Sequence, residues 1–521
     1  MKVFKHIETL LDYGVAHELI QKTDIFVARN ELWKLLGIEA DLDAVLAASQ
    51  DKEPWHFEDL FEIYKLLDLI TEDAKALGRS LEFLYEVESF QAEIMSKLMP
   101  RMSEVNRLFY EKHRQSPQAA SKYFYALSNA STYIRMDRVS KNVNWKATSP
   151  YGALDITINL SKPEKDPKEI ALQKNVKASK YPKCLLCVEN AGYQGNINHP
   201  ARQNHRVVEM ALDHEPWYLQ YSPYVYYNEH AIVLCHEHRS MKIDRHTFIR
   251  LCDFVDVMPH YFIGSNADLH TVGGSILTHD HYQAGCYEMP MMRAQTLHVH
   301  KPKTYENVVI EVLNWPLSVL KVCSKSRAQI IEISDLILKS WIDYSDESVA
   351  LFAYTDERHN TITPILRKNG EIYEMYLALR NNRKTEAHPE GLFHPHRAHH
   401  HIKRENIGLI EVMGLAVLPS RLVQEMDEII NMAIKAGQLD IEACTAHSEI
   451  EKHVVWLMQL RPEIDAILAD QTKNISEKRI AMELYLKDQI GHKFALVLRD
   501  AGVYKSKSEG MLTFLKRGCG L

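Results

Sequence analysis

The period at which apolar residues recur changes twice along this 521-residue chain, and each change restricts the secondary structure that a segment can form. Up to about residue 140 the spacing is helical: Phe4, Ile7 and Leu11 fall on one stripe, as do Phe83, Val87, Phe90, Ile94 and Leu98. The middle of the chain alternates instead. Asp155-Ile156-Thr157-Ile158-Asn159-Leu160 has the two-residue period of a half-buried strand, and Ala231-Ile232-Val233-Leu234-Cys235 is a second strand candidate. Residues 361–366 and 372–379 flank Asn369-Gly370, a pair that takes positive φ cheaply and favours a tight hairpin. After Pro419 helical spacing returns in Leu422, Met426, Ile429 and Ala433. The pattern predicts an α+β protein: a helical region over 1–140, mixed halves over 141–320 and 321–418, and a helical region over 419–521. Residues 161–180, rich in lysine and carrying two prolines, read as an exposed loop, and no short-period repeat is visible.

Charge and cysteine usage narrow the function. Lys plus Arg number 62 against 69 for Asp plus Glu, a balance of −7 that offers no long-range attraction for nucleic acid or an anionic membrane. A polyphosphate ligand must therefore be held by a local site. The eight cysteines are scattered apart from Cys184 and Cys187, which points to reduced thiols with a possible metal clip and to the cytoplasm. The first residues show no apolar core followed by a small-residue cleavage site, and the most apolar run, 407–418, contains Glu411 and is too short to span a bilayer, so neither export nor a membrane segment is expected.

The chemistry is expected around Gly273-Gly274-Ser275-Ile276-Leu277-Thr278-His279-Asp280-His281-Tyr282-Gln283-Ala284-Gly285. As a strand, this segment would put His279, His281 and Gln283 on one face. The glycine pair Gly273-Gly274 would let backbone approach a ligand closely, with N–H groups available to phosphate oxygens, and Gly274 and Ser275 are candidate substrate contacts. A neutral imidazole attacks phosphorus near pH 7, and a nearby amide can bind phosphoryl oxygens without giving up a proton. Chance His-x-His pairs are common in a chain with 27 histidines, and His298-Val299-His300 and His394-Pro395-His396 are two others here. A metal pair, satisfied core histidines, or a His-Asp metal phosphohydrolase are the competing readings. The Gln at the next same-face position and the glycines upstream favour the nucleophile.

These residues resemble the galactose-1-phosphate uridylyltransferases, and more closely their second, bacterial type. The likeness covers most of the chain. It is strongest in Tyr181-Pro182-Lys183-Cys184-Leu185-Leu186-Cys187, in Tyr221-Ser222-Pro223-Tyr224-Val225-Tyr226-Tyr227-Asn228-Glu229-His230 and in residues 273–283. The family is related to the histidine-triad nucleotide-binding proteins, so a histidine-triad-like mixed or antiparallel sheet is implied between the helical ends. Where the better-known type has His-Pro-His-Gly-Gln, this chain has Asp280 and Tyr282 in place of Pro and Gly. The two His and the Gln still match, which implies that His281 is the nucleophile and that Gln283 binds phosphate.

The resemblance implies transfer of UMP from UDP-glucose to galactose 1-phosphate through a uridylyl-histidine, with no organic cofactor and in a homodimer. The runner-up is a histidine-triad type nucleotide hydrolase or phosphorylase, the hydrolase branch carrying a third His where Gln283 stands, and a zinc-dependent binding module is the third reading. On spacing alone Cys184 and Cys187 are as well explained by buried thiols as by zinc. The resemblance completes a structural zinc site with His238 and His279. Arg202 and Arg206 are the best local source of positive charge for a pyrophosphate. Asn228 and Glu229 resemble the family's segment near the uridine, and Asn266 is a similar candidate. The flanks of the cluster from His394 to His401 resemble the family's C-terminal substrate-binding segment, which implies contacts to the hexose phosphate or diphosphate, or a second metal; a surface histidine tract with no role is the competing reading.

Overall fold

The structure, a computed structural model, describes residues 2–39, 41–50, 55–57, 61–160, 181–274, 276–505 and 508–521. The expected loop at 161–180 and the candidate Ser275 lie outside the described residues. The protein is α+β, with helices at both ends and a sheet body between them, as the periodicity predicts.

The N-terminal helices are α1 (Lys2–Ala16), α2 (Ile25–Leu36), α3 (Leu42–Gln50), α4 (Glu62–Ala76), α5 (Leu84–Ser96), α6 (Met102–His113) and α7 (Pro117–Ala130). Their apolar stripes bury Ile7, Leu11, Phe90 and Ile94 together. Ser116 starts α7 by accepting the Ala119 N–H, and Pro117 follows where its missing N–H costs nothing. These helices lie against the first strands of the body: the Tyr110 hydroxyl donates to the Glu209 carbonyl and the Tyr221 hydroxyl to the Ser121 carbonyl.

The small strands β1 (Val143–Ala147) and β2 (Leu154–Ile158) come next. The body then follows with β3 (Val208–Leu212), β4 (Glu215–Tyr221), β5 (Ala231–Cys235), α8 (Arg245–Val257), β6 (Phe262–Gly264) and β7 (His281–Gly285). It repeats that pattern with β8 (Thr296–His300), β9 (Val309–Leu313), β10 (Val319–Ser324), α9 (Arg327–Ile342), β11 (Asn360–Asn369) and β12 (Ile372–Asn381). The sheet order is β3-β4-β5-β7-β6-β11-β12-β10-β9-β8, every neighbouring pair being antiparallel. Read inward from either edge, the order is first, second, third, fifth, fourth. The body is thus two copies of one unit, joined where β6 pairs with β11, Gly264 opposite Ile365. The sheet runs unbroken across residue 320, which lies inside β10.

Helices α8 and α9 cover one face. Trp341 of α9 is fully buried, and its indole N–H donates to the carbonyls of Thr361 and Arg380. Trp341→Ala would cost about 3–5 kcal/mol through the cavity and the two orphaned carbonyls. The other face is covered by a three-stranded sheet, in which β2 lies between β1 and β13 (Leu415–Leu418), and by α10 (Arg421–Ala436), α11 (Val454–Ala469) and α12 (Ile475–Ala501). All five residues of β2 are buried, not the half expected, because it is a central strand covered on both faces. The hairpin at Asn369-Gly370 forms with Asn369 opposite Ile372, so Gly370, at φ +60°, and Glu371 make the turn. No described helix is long and apolar enough to cross a membrane.

Candidate active site

Strand β7 is held on both sides, Ile232 of β5 and Gly264 of β6 both lying opposite Gln283. Alternation sends Tyr282 and Ala284 into the core under α8 and leaves His281 and Gln283 on the opposite face. Tyr282 stacks on Trp217 with ring centroids 4.8 Å apart. Asp280 sits 3.6 Å from Arg239 Nε and 3.8 Å from Arg250 Nη1, while burial pushes its carboxyl up to about 6. The two residues that depart from the better-known motif therefore pack away from the face that carries His281 and Gln283.

His279 is not part of the strand, which begins at His281. The chain bends there because β5 ends at Cys235, and the Asp280 N–H turns to the Arg239 carbonyl, 2.7 Å away. That bend carries the His279 ring to the cysteine pair. His281 is 6% exposed, and its Nδ1 lies 2.8 Å from the His279 carbonyl oxygen. An N–H at Nδ1 donates there, which leaves the Nε2 lone pair free. Burial pulls this imidazole down to about 4, so it is neutral near pH 7.

Cys184, Cys187, His238 and His279 offer four ligand atoms within 4.8 Å of one another. The sulfurs are 3.6 Å apart, His279 Nδ1 is 3.2 Å from Cys184 Sγ, and His238 Nδ1 is 3.3 Å from Cys187 Sγ. A tetrahedral zinc with Zn–S bonds of about 2.3 Å would separate two sulfurs by about 3.8 Å, so this donor set fits such an ion. His279 Nε2–H donates to the Cys235 carbonyl at 2.8 Å, the bond that a ligating imidazole usually makes with its other nitrogen.

The remaining candidates separate. Arg202 lines a cavity of about 390 Å³ with Tyr133, His199, Tyr224 and Leu185, the last from the Cys-x-x-Cys turn. Its guanidinium lies over the Tyr133 ring and makes no ion pair with a described residue. Arg206 is committed to the carbonyls of Pro100, Gln203 and His205, and burial lowers it to about 10. Asn228 is exposed and donates to the Cys286 carbonyl. The Glu229 carboxylate accepts the Tyr261 hydroxyl. Asn266 is 4% exposed, and its Oδ1 accepts the Leu409 N–H at 2.8 Å. Gly274 lies against that amide, where an added Cβ would come within 2.5 Å of Nδ2.

In the C-terminal cluster, His394 Nε2 meets Asn406 Oδ1, and His401 meets His453, which in turn reaches Glu425. Sequence reasoning gave no role to His230. Its signal was positional: it stands two residues before Ile232, which lies opposite Gln283, so the three share a face.

Comparison with known proteins agrees with this arrangement. A family model described as galactose-1-phosphate uridyl transferase, N-terminal domain, matches residues 70–240, and its C-terminal counterpart matches residues 226–452. The galactose-1-phosphate uridylyltransferase of Fusobacterium nucleatum is 45% identical over 99% of this chain and 98% of its own length. Those of Caldanaerobacter subterraneus and Bacillus subtilis are 46% and 43% identical, covering 98% and 99% of this chain and 96% and 97% of their own. A yeast Ap4A phosphorylase structure overlaps 62% of this chain and 90% of its own at 11% identity, with a TM-score of 0.31, too slight a likeness to transfer any residue's role. On the strength of the family models and the near full-length relatives, this chain belongs to the galactose-1-phosphate uridylyltransferase family.

Proposed function

We propose that this chain moves a uridylyl group from UDP-glucose to galactose 1-phosphate through a covalent intermediate on His281 Nε2. The observation that carries the reading is the 2.8 Å bond from His281 Nδ1 to the His279 carbonyl, which keeps the lone pair on the other nitrogen. Nε2 attacks the α-phosphorus of UDP-glucose, and the bond to glucose 1-phosphate breaks with both electrons leaving on that phosphate. A phosphate leaves without needing a proton, so Gln283, which cannot supply one, suffices beside the nucleophile. Its amide N–H steadies the charge that builds on the phosphoryl oxygens. A phosphate oxygen of galactose 1-phosphate then attacks, the P–N bond breaks, and UDP-galactose forms.

The uridine is assigned to the cavity that holds Tyr133, Tyr224 and Arg202, whose aromatic faces and free cation suit a base next to a pyrophosphate. Zinc on Cys184, Cys187, His238 and His279 would be structural, four protein ligands leaving no open position. The experiment is isotope exchange: UDP-glucose and labelled glucose 1-phosphate alone should put label into UDP-glucose. His281→Asn should abolish this while UDP-glucose still binds. A wild type that exchanges only when galactose 1-phosphate is present overturns the covalent route.

A further inference from the structure

We infer that His230 is a positioning residue for the transfer, holding the Gln283 side chain so that its amide N–H groups, and not its oxygen, face the reacting phosphoryl group. The inference rests on the reading of His281 and Gln283 given above and adds a residue to it. His230 stands immediately before β5, and because Ile232 lies opposite Gln283, position 230 is the diagonal neighbour of Gln283 across the pair. The geometry follows: His230 Nε2 is 3.3 Å from Gln283 Oε1.

Several features fix that ring. His230 is 4% exposed, with its ring centroid 4.5 Å from that of Tyr227 and 5.5 Å from that of Tyr226. Tyr227 reaches this position because Gly285 lacks a side chain, an added Cβ there coming within 2.5 Å of the Tyr227 ring. The Tyr227 hydroxyl is anchored on the Ala284 carbonyl. The backbone at 230 is held as well, its carbonyl accepting the Ser222 N–H at 2.7 Å and its N–H donating to the Tyr227 carbonyl at 3.2 Å.

The consequence for Gln283 comes from donor and acceptor counting. A primary amide has a carbonyl that only accepts and an NH₂ that only donates, and it can be turned either way with little change in shape. Beside an anionic phosphoryl group one orientation donates and the other sets oxygen against oxygen. With its proton on Nε2, His230 accepts nothing from the NH₂ and donates to Oε1, so only the productive orientation is bonded. The other tautomer would place its N–H at Nδ1, a buried atom with no acceptor among the described residues, at the cost of an unmet donor. Tautomer choice and amide orientation therefore reinforce each other.

The test uses the full-length enzyme and the exchange between UDP-glucose and labelled glucose 1-phosphate, with kcat and KM measured for wild type, His230→Phe, His230→Gln, Gln283→Ala and the double variant His230→Phe/Gln283→Ala. Outright loss of a preorganised donor to the transition state costs about 100-fold to 1,000-fold in rate, and leaving that donor in place but free to turn should cost less, about 10-fold to 100-fold. His230→Phe should lower kcat by that factor with KM for UDP-glucose nearly unchanged. His230→Gln, which retains an N–H, should recover part of the rate. The double variant should be no slower than Gln283→Ala, because the histidine has nothing left to orient. Thermal melts check folding, and if His230→Phe does not fold, His230→Gln and its combination with Gln283→Ala carry the same comparison. Multiplying rate losses in the double variant, or wild-type exchange in His230→Phe, overturn the proposal. If Gln283→Ala itself exchanges like wild type, the earlier reading of Gln283 fails and takes this one with it.

Discussion

The imidazole Nε2 of His279 lies 2.8 Å from the carbonyl oxygen of Cys235, the last residue of β5, so this ring, two residues before His281, is oriented by the neighbouring strand. Its Nδ1 is thereby aimed at the two cysteines. Purified protein is expected to carry about one zinc per chain, and Cys184→Ser to lose it and melt at lower temperature, since a four-ligand structural site contributes directly to folding. Metal analysis and melting curves of the two proteins decide this. Active, zinc-free wild type would reduce the cluster to packed thiols.

Arg202 and Arg206, one turn of sequence apart, should behave as opposites. Arg202 faces a cavity with no ionic partner among the described residues, whereas Arg206 is bonded to three backbone carbonyls. Arg202→Ala is expected to raise KM for UDP-glucose about 10-fold with little change in melting temperature, the loss of one charge-assisted contact. Arg206→Ala should lower the melting temperature and leave KM within about 2-fold, because it unpairs three partly buried carbonyls. Steady-state kinetics and melts on both variants would expose a reversed assignment.

The periodicity of the sequence carried the fold class because buried faces must repeat at the period of their element. Leu422, Met426, Ile429 and Ala433 line the buried face of α10, and Ala231 to Cys235 is β5 residue for residue. The duplication of the body was not legible, since it lies in strand order over units of some ninety residues (β3 starts at 208, β8 at 296), too long a spacing for a short-period repeat to signal. At the site, Cys184, Cys187, His238 and His279 meet. Loop residues were harder to read, because Glu229 and Asn266 have short polar side chains that bond equally well to protein or to ligand. Only the fold shows that Tyr261 and Leu409 are their partners.

Asn266 accordingly has a structural consequence that can be measured. Its Oδ1 accepts the N–H of Leu409, a residue 1% exposed, and so ties the loop after β6 to the C-terminal segment. Asn266→Ala leaves that N–H without an acceptor and should cost about 1–3 kcal/mol in denaturant unfolding. Gly274→Ala drives a methyl into the same amide and should destabilise by a comparable route. The two effects should be less than additive, because either change breaks the same link. Full stability in Asn266→Ala, with binding alone impaired, would return this residue to the role of a ligand contact.

Acid should destabilise the protein before its ordinary carboxylates titrate, Asp280, raised to about 6, being the exception. Burial holds His205 at about 3, with Arg202 and Arg206 adding to the effect, His230 at about 4, and His401 at about 3, where His453 adds to it. All three lie below the ordinary histidine value of about 6.5 that applies to the unfolded chain. Between those limits the unfolded chain binds protons that the folded one refuses, so unfolding gains with every proton added. The stabilisation from these neutral rings is complete above about pH 6.5 and is lost as pH falls from there toward the folded values. Each ring contributes a slope of about 1.4 kcal/mol per pH unit in that window, so the three together approach about 4 kcal/mol per unit. His260 and His281, also held at about 4, add to it. Asp280, raised to about 6, takes up its proton in the folded chain and offsets one ring's worth below that pH. Urea unfolding at pH 7.5, 6.0 and 5.0 should show a fall already across the first interval, which crosses the unfolded-chain value, and a steeper one across the second. His401→Gln, which cannot titrate, should flatten the slope by about one proton's worth whatever it does to stability at pH 7.5. Equal stability at pH 7.5 and 5.0 would mean that these rings take up protons in place, and the burial argument for their neutrality would fail.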